Sequence, residues 1–112
     1  MKIVEKPWGR EVWFAVTDRY AGKEIFFKKG RRSSLQFHRT KHETLYVMGG
    51  IMKVSLEDEN GQIVDHNVHR GEAIVVPPTR KHRVEAIEDL TLIEVSTPEV
   101  DDVVRVADDY GR

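Results

Sequence analysis

Apolar residues in this chain come in short runs, and glycine, proline, asparagine or aspartate separates one run from the next. Some runs, such as Ser34–His38, alternate apolar and polar positions, which places successive side chains on opposite faces of a strand. No segment has a helical period of useful length. The pattern predicts nine short strands, over Glu11–Val16, Lys23–Lys28, Ser34–His38, Glu43–Met48, Ile51–Leu56, Gln62–Val68, Ala73–Val76, His82–Ala86 and Leu90–Ser96.

The spacing of these strands, roughly ten residues, is typical of all-β proteins. Turn residues such as Asn60 and Gly61 mark the hairpins between them. We therefore expect a small antiparallel barrel or sandwich with two facing sheets and very little helix. The 112 residues fit one domain, spanning 1–112. The tail from Pro98 to Arg112 is expected to form either one short helical turn or a strand that packs back on the barrel.

The balance of charges limits the classes of binding partner that we expect. Charged residues make up 33% of the chain, but 18 Lys and Arg face 19 Asp and Glu. Such a balance predicts no binding to nucleic acid or to an anionic membrane. The chain has no cysteine, which excludes disulfides and thiolate metal sites. Residues 1–10 contain no apolar signal-peptide region, and no run is long enough to span a membrane, so we expect a cytoplasmic protein.

Four residues can form a metal site. Gln36 and His38 are two apart on a predicted strand, so both side chains point to one face. Glu43 opens the next strand after a short connection, which can bring its carboxylate beside His38. His82 follows Pro77-Pro78 and opens another strand. The alternative is that these side chains only hydrogen-bond to one another in an empty pocket.

One amide oxygen, two imidazoles and one carboxylate suit a borderline or hard divalent ion. Zinc, manganese, iron, nickel and cobalt all satisfy this ligand set. With four protein ligands, the ion can keep open positions for water or substrate, as Lewis-acid catalysis requires.

Two motifs resemble those of the cupin superfamily. In the first, His38, Glu43 and Gly50 match, with six residues between Glu43 and Gly50. Thr40 replaces the second histidine of the usual His-x-His, and Gly30 lies two residues further upstream than the motif asks.

In the second cupin motif, Gly71, Pro77 and His82 fall at the expected spacing. Thr79 stands where the family usually has glycine. The resemblance implies a double-stranded β-helix of the jelly-roll type.

A narrower resemblance is to the C-terminal isomerase domain of the type II phosphomannose isomerases. It rests on five segments, which are Lys6–Gly9, Ser33–His38, Pro77–Arg83, Asp101–Arg105 and Asp109–Arg112. In that family Gln, His, Glu and His hold zinc, so zinc becomes the leading candidate for the ion at Gln36, His38, Glu43 and His82. We expect a stand-alone version of this domain.

The resemblance implies an isomerase that interconverts an aldose and a ketose phosphate through an enediol, with mannose 6-phosphate and fructose 6-phosphate as the leading pair. Two alternatives stay open. One is a non-catalytic cupin that binds a metal and a sugar or sugar phosphate, as the partner of a separate nucleotidyltransferase. The other is an iron-dependent oxygenase, which the glutamine ligand disfavours because iron cupins more often present several histidines.

The reaction needs a phosphate site and a base. A guanidinium with a second positive charge suits phosphate, and the candidates are Arg32, Arg80, Lys81 and Arg105. For the base, the candidates are Glu94, Glu85 and a water on the metal.

The remaining aromatic and histidine residues have simpler interpretations. Trp8 and Trp13 are expected to be packing anchors rather than walls of a sugar pocket. His42, His66 and His69 are expected at the surface. We also expect a homodimer, because a small open barrel leaves an edge strand to cover. The N-terminal segment with both tryptophans is the candidate for exchange between partners.

Overall fold

The computed structural model describes residues 1–111, and no helix occurs among them. Eleven β-strands account for the fold. They are β1 (Lys2–Lys6), β2 (Gly9–Val16), β3 (Ala21–Phe27), β4 (Leu35–Phe37), β5 (Glu43–Gly49), β6 (Ile51–Glu57), β7 (Ile63–His69), β8 (Ala73–Val76), β9 (His82–Ala86), β10 (Leu90–Ser96) and β11 (Val104–Ala107).

The strands form two facing sheets. The six-stranded sheet has the order β1-β2-β3-β10-β5-β8, and the five-stranded sheet has the order β11-β4-β9-β6-β7. Neighbouring strands pair antiparallel throughout. The all-β, two-sheet prediction is confirmed.

Within residues 1–111 there is no helix long and apolar enough to cross a membrane. The cytoplasmic location stays a prediction.

Two strands were not among the nine predicted. β1 pairs with β2 as a hairpin at one edge of the six-stranded sheet, and its charged sequence Lys-Ile-Val-Glu-Lys hides the strand pattern. β11 lies in the tail and pairs with β4 at the edge of the other sheet. Of the two expectations for the tail, the strand that packs back is therefore correct.

The core lies between the two sheets. Met52, Leu90 and Leu92 are at most 1% exposed, and they belong to one buried apolar cluster. Fully burying one such side chain contributes about 1.5–3 kcal/mol. Trp8 joins this cluster and stacks on Phe27, with ring centroids 3.9 Å apart. The packing role expected for Trp8 is confirmed, although its ring also lines the cavity described below.

Gly50 lets the chain pass from one sheet to the other. It is the single residue between β5 of the six-stranded sheet and β6 of the five-stranded sheet, and its φ is +87°. A Cβ at this position would lie 2.1 Å from the carbonyl oxygen of Asp89. Only glycine meets both requirements, which gives the glycine of the first motif its physical reason.

Candidate metal centre and charged cavity

A cavity of about 250 Å³ lies between the two sheets. Its lining includes apolar side chains such as Trp8, Phe27 and Leu92. It also includes all four sequence-predicted ligands, which are Gln36, His38, Glu43 and His82. The C-terminal segment (residues 98–111) contributes Val100, Asp101, Val103 and Arg105 to the lining. The volume lies just below the range of about 300–1,000 Å³ typical of ligand pockets, so it suits a small ligand.

Three of the four predicted ligands converge. One ligand atom each from His38, Glu43 and His82 lies within 4.8 Å of the other two, and all three residues are buried. Glu43 Oε1 is 3.4 Å from His82 Nε2, and the two imidazole centroids are 5.1 Å apart. These residues come from both sheets, because His82 opens β9 and Glu43 opens β5.

Each of the two histidines keeps one buried ring nitrogen without a hydrogen-bond partner in the described chain. His82 Nδ1 lies 3.0 Å from the carbonyl oxygen of Arg80, to which it donates. The other ring nitrogen, Nε2, then faces the Glu43 carboxylate, 3.4 Å from Oε1. Within residues 1–111, neither His82 Nε2 nor His38 Nδ1 has a hydrogen-bond partner.

This donor set fits a cation. Burial lowers the pKa of His38 to about 4 despite the nearby Glu43 carboxylate, so its ring is neutral at pH 7 and keeps a free lone pair. Buried imidazole nitrogens that lack hydrogen-bond partners beside a carboxylate are stabilised by a positive charge placed among them. A divalent ion held by imidazole and carboxylate meets that need.

Gln36 belongs to the same site, but its side-chain oxygen accepts a hydrogen bond from Ser34. It lies opposite His82 in the β4–β9 pairing and lines the cavity. The Ser34 hydroxyl donates to Gln36 Oε1 at 2.7 Å. Ser34 is fully buried, so this bond fixes the amide side chain on the inner face.

The loop between His38 and Glu43 is tied to the C-terminal segment. The Asp102 carboxylate accepts hydrogen bonds from the backbone N–H groups of Arg39, Thr40 and Lys41 and from the Thr40 hydroxyl, at 2.7–3.2 Å. The backbone N–H bonds hold the pKa of Asp102 below its usual range. The three successive amides form an anion-binding concavity, which Asp102 occupies.

Thr79 supports the same loop from the second motif. Its backbone N–H donates to the carbonyl oxygen of His38 at 2.6 Å. Its φ of +70° is the only positive value at a non-glycine residue within residues 1–111. The usual glycine of this motif adopts that conformation without strain. Thr79 retains the turn in spite of its side chain.

A buried cluster of charged residues adjoins the metal ligands. Lys41 Nζ lies 2.9 Å from Glu94 Oε2 and 3.1 Å from Glu43 Oε2. Lys23 Nζ lies 3.9 Å from the same Glu94 oxygen and 3.7 Å from Glu11 Oε1. The side chains of Lys23 and Lys41 are only 5% exposed. A lysine is almost never buried unless it is paired, so this cluster marks a specialised site.

The pKa values of this cluster follow from burial and charge. Burial and the negative charge of Glu43 raise the pKa of Glu94 to about 7, against the opposing charges of Lys41 and Lys23. Burial alone would lower the pKa of Lys41, but the Glu94 and Glu43 carboxylates raise it above its usual range. Burial opposes ionisation of Glu43, but the neighbouring His82 ring and the Lys41 charge hold its pKa below the ordinary value.

Trp13 lies beside this cluster. Its indole N–H donates to Glu11 Oε1 at 2.9 Å, and Lys23 Nζ lies 4.2 Å from its ring centroid. The ring lines the cavity, so Trp13 supplies an aromatic wall next to the charged residues.

The other sequence candidates divide between the cavity and the outer surface. Arg105 and Glu94 line the cavity. The described lining does not include Arg32, Arg80, Lys81 or Glu85. Arg32 pairs with Asp109, and both Arg80 and the Lys81 backbone N–H bond to Glu57.

Strand alternation explains the position of Glu85. On β9, His82 and Val84 line the cavity, so Glu85 points to the opposite face. The surface positions predicted for His42, His66 and His69 agree with their exposure in the structure.

Sequence reasoning missed Lys23, Lys41 and Glu11. A signal was present for Lys23, because it shares the inward positions of β3 with Ile25 and Phe27. A lysine at an apolar-face position indicates a buried charge. Lys41 follows no such alternation, since it lies in a loop that Asp102 orders from a distant part of the chain.

Two facing antiparallel sheets with a His–Glu–His cluster between them define the cupin class of proteins, and solved structures agree. The chain superposes on KdgF from Halomonas sp. with a TM-score of 0.78, over 91% of this chain and 92% of that one, at 24% identity. It also superposes on oxalate decarboxylase from Lactobacillus farciminis with a TM-score of 0.80, over 94% and 33% of the two chains, at 20% identity. These likenesses establish the fold.

Within the cupins, the chain belongs to the family described as "Mannose-6-phosphate isomerase C-terminal", whose model matches residues 1–108. It is 38% identical to mannose-1-phosphate guanylyltransferase of Escherichia coli K12, over 97% of this chain and 23% of that protein. It is 35% identical to mannose-1-phosphate guanylyltransferase ManC of Salmonella typhimurium, with the same coverage. The chain thus spans less than a quarter of the length of these curated relatives.

Proposed function

We propose that this chain is a metal-dependent isomerase that interconverts an aldose phosphate and a ketose phosphate, with mannose 6-phosphate and fructose 6-phosphate as the leading pair. One observation carries the proposal. A cluster suited to a divalent ion and the buried pair Lys41–Glu94 line the same small cavity. Isomerisation needs both a site that stabilises charge on the sugar oxygens and a base close to it.

His38, Glu43 and His82 would hold the ion, with Gln36 as the fourth ligand, and zinc is the leading candidate. A divalent ion bound there would polarise the oxygen atoms of the sugar as a Lewis acid. Elemental analysis of the protein purified without added metal tests which metal ion is bound. One equivalent of zinc is expected, and one equivalent of manganese, iron, nickel or cobalt in its place would replace zinc in the proposal.

Glu94 is the base in this proposal. Its carboxylate lines the cavity and is buried beside the cluster. It would take the proton from C2 of the aldose and return it to C1, while the hydroxyl proton of O2 is lost and O1 gains one. Its pKa of about 7 suits a group that both accepts and returns a proton near neutral pH. Glu85, the other carboxylate among the candidates, points away from the cavity.

Lys41 has a separate role in the proposed reaction. Its ammonium contacts both Glu43 and Glu94, so it holds the base carboxylate at a fixed place relative to the ligand carboxylate. It also brings a positive charge to the part of the cavity where negative charge develops on the sugar oxygens.

The test is an anaerobic isomerase assay on metal-loaded protein with mannose 6-phosphate, with an oxygen-uptake assay run in parallel. We expect turnover without oxygen. Glu94→Gln should lower kcat by about 10²–10⁴-fold at unchanged metal content, and Glu85→Gln should retain the activity. Oxygen uptake without isomerisation would favour the oxygenase alternative instead.

A second candidate is a non-catalytic module that binds a metal and a sugar phosphate and acts with a nucleotidyltransferase. The observation that favours it is that the curated relatives are named as guanylyltransferases and are more than four times as long as this chain. Tight binding of mannose 6-phosphate without any turnover, in protein with a full complement of metal, would support this second candidate over the isomerase.

We further propose that the chain forms a homodimer through the outer face of the six-stranded sheet. Apolar side chains on this face are 42–52% exposed, namely Phe14, Tyr46, Met48, Val75 and Val95. Two copies would meet with little repulsion, since the net charge is −1. Exposed apolar patches of this kind mark interaction sites.

A further inference from the structure

Arg105 lies in a row of side chains that starts at the metal cluster. In the strand pairing of the five-stranded sheet, His82 of β9 lies opposite Gln36 of β4, and Gln36 lies opposite Arg105 of β11. Directly paired residues project from the same face of a sheet, and all three line the cavity. Since neighbouring strands are about 4.8 Å apart, the backbone of Arg105 is about 10 Å from that of His82.

The other arginines near the barrel are occupied elsewhere. Four of them make ion pairs or donate to carbonyl oxygens of this chain, namely Arg31, Arg32, Arg80 and Arg83. Arg105 is exposed and makes no ion pair with any other residue of the described chain. It is also the one arginine in the described lining of the cavity.

With Glu94 ionised and the histidines left out of the count, the charges that line the cavity balance before any ligand binds. Four carboxylates and four cationic side chains line it, namely Glu11, Glu43, Glu94, Asp101, Lys6, Lys23, Lys41 and Arg105. With neutral histidines, a divalent ion would leave the cavity with a net charge of about +2. A phosphate monoester carries about −1.5 to −2 at pH 7, so it would restore the balance.

From these observations we propose that Arg105, assisted by Lys6, forms the subsite for the phosphate group and selects phosphorylated sugars over neutral ones. This proposal rests on the proposed function, because it takes the reacting end of the sugar to lie at the metal cluster and Glu94. Arg105 comes from the five-stranded sheet and Lys6 from the end of β1 in the six-stranded sheet. Both side chains line the cavity, so each sheet offers the phosphate a cation.

The geometry matches the shape of the substrate. The reacting carbons C1 and C2 and the phosphate on C6 are at opposite ends of a hexose phosphate. The row from His82 through Gln36 to Arg105 likewise separates the ion site from the guanidinium. Two N–H groups of a guanidinium can bind two phosphate oxygens together, which an ammonium cannot reproduce.

Calorimetric titration of the full metal-loaded chain with mannose 6-phosphate, mannose and inorganic phosphate tests the subsite. Arg105→Ala should weaken mannose 6-phosphate binding at least tenfold and leave mannose binding unchanged. Arg105→Lys should recover part of the loss. The matched control is Arg70→Ala, in the exposed turn after β7, which should bind all three ligands as the wild type does. Arg80→Ala, titrated in the same way, compares Arg80, a phosphate candidate from the sequence, with Arg105.

The outcomes distinguish a failure of the proposed phosphate subsite from a failure of the proposed isomerase activity. Wild-type affinity for mannose 6-phosphate in Arg105→Ala overturns the subsite, as does an equal loss for mannose and mannose 6-phosphate. A wild-type protein that fails to bind mannose 6-phosphate also overturns it. Binding that depends on Arg105 in a protein without isomerase activity supports the subsite and rejects the isomerase. Unchanged thermal unfolding of Arg105→Ala shows that a loss of binding is local.

Discussion

Both faces of the six-stranded sheet depart locally from the usual distribution of side chains. At the centre of its inner face, Lys23, Glu43 and Glu94 are buried. On its outer face, Tyr46 and Val95 are 42% and 52% exposed. The contrast is sharpest on β10, where Glu94 is buried and the next residue, Val95, faces outwards.

The composition of each face suggests that a ligand or a partner binds there. Burying charge is costly unless it is paired, and the inner face holds its charges in a network beside ligands that suit a cation. Exposed apolar residues in one patch gain by being covered. We therefore propose a ligand for the inner face and a second copy of the chain for the outer face, and the predictions below test the two proposals separately.

The largest effect is expected from breaking the buried network. Lys41→Met leaves Glu43 and Glu94 without their shared ammonium, and removal of one partner of a buried pair costs about 3–5 kcal/mol. Urea unfolding of the metal-free protein measures the loss. Lys53→Met is the matched control, since Lys53 lies 3.6 Å from Asp65 with both side chains well exposed, and such pairs contribute about 0–1 kcal/mol.

A double variant tests whether the loss comes from unpaired charge. Adding Glu94→Gln to Lys41→Met removes a carboxylate that lacks its partner, so part of the lost stability should return. A double variant whose stability loss equals the sum of the two single losses would show that the residues are not coupled.

The second-largest effect is expected on metal affinity, when a ligand of the cluster is replaced. His82→Ala removes one of two imidazoles from the cluster. Loss of a residue that merely supports a ligand already costs about 10–100-fold in metal affinity, so loss of a ligand should cost at least that much. His42→Ala provides the control, because His42 is exposed and close in sequence to Glu43. Equal metal affinity in wild type and His82→Ala, measured by competition with a chelator, would end the metal-site hypothesis.

The outer face gives the third prediction. Val95→Lys places a charge in the middle of the apolar patch, between Thr44 of β5 and Gly22 of β3. We expect a dimer for the wild type and a monomer for this variant in sedimentation analysis, with the metal content unchanged. Val106→Lys is the matched control, because Val106 is 48% exposed on the other sheet. A wild-type chain that stays monomeric at high micromolar concentration would contradict the dimer.

Local pattern was enough for most of the fold. Alternation and turn residues located nine strands, because most of them bury one apolar face against the opposite sheet, as β3, β5 and β10 do. β1 was not predicted because an edge strand can carry charged residues at both ends. β11 was not predicted because four residues are too few to show an alternation of apolar and polar positions. The crossing at Gly50 was marked in sequence by its glycine, although the clash with Asp89 that requires it is visible only in three dimensions.

The site was predictable where its residues follow a motif and not where they depend on distant contacts. The spacing of His38, Glu43 and His82 was readable, and the structure brings their ligand atoms together. Arg80 and Lys81 seemed suitable for phosphate because they precede His82. Their bonds to Glu57, on the neighbouring strand β6, hold them outside the cavity. Lys41 enters the cavity through a loop that Asp102 orders, a contact 61 residues away in sequence.

That contact leads to the smallest predicted effect, a pH-dependent one. The pKa of Asp102 is lower in the folded chain than its usual value, because the amides of residues 39–41 bind the ionised form. Its contribution to stability is therefore present above the unfolded-state pKa of about 3.9 and is lost as the pH falls below that value. Asp102→Asn keeps one acceptor oxygen without the charge.

We expect Asp102→Asn to unfold at a lower temperature than the wild type at pH 7, with a difference that shrinks as the pH falls towards 3. The loop from 39 to 41 carries Lys41 to the inner face, so amide hydrogen exchange in this loop should be faster in the variant at pH 7. Asp101→Asn is the control, since Asp101 is the adjacent acidic residue and makes no bond to this loop in the described chain. A difference in unfolding temperature that stays constant from pH 7 to pH 3 would show that the charge of Asp102 does not hold the loop.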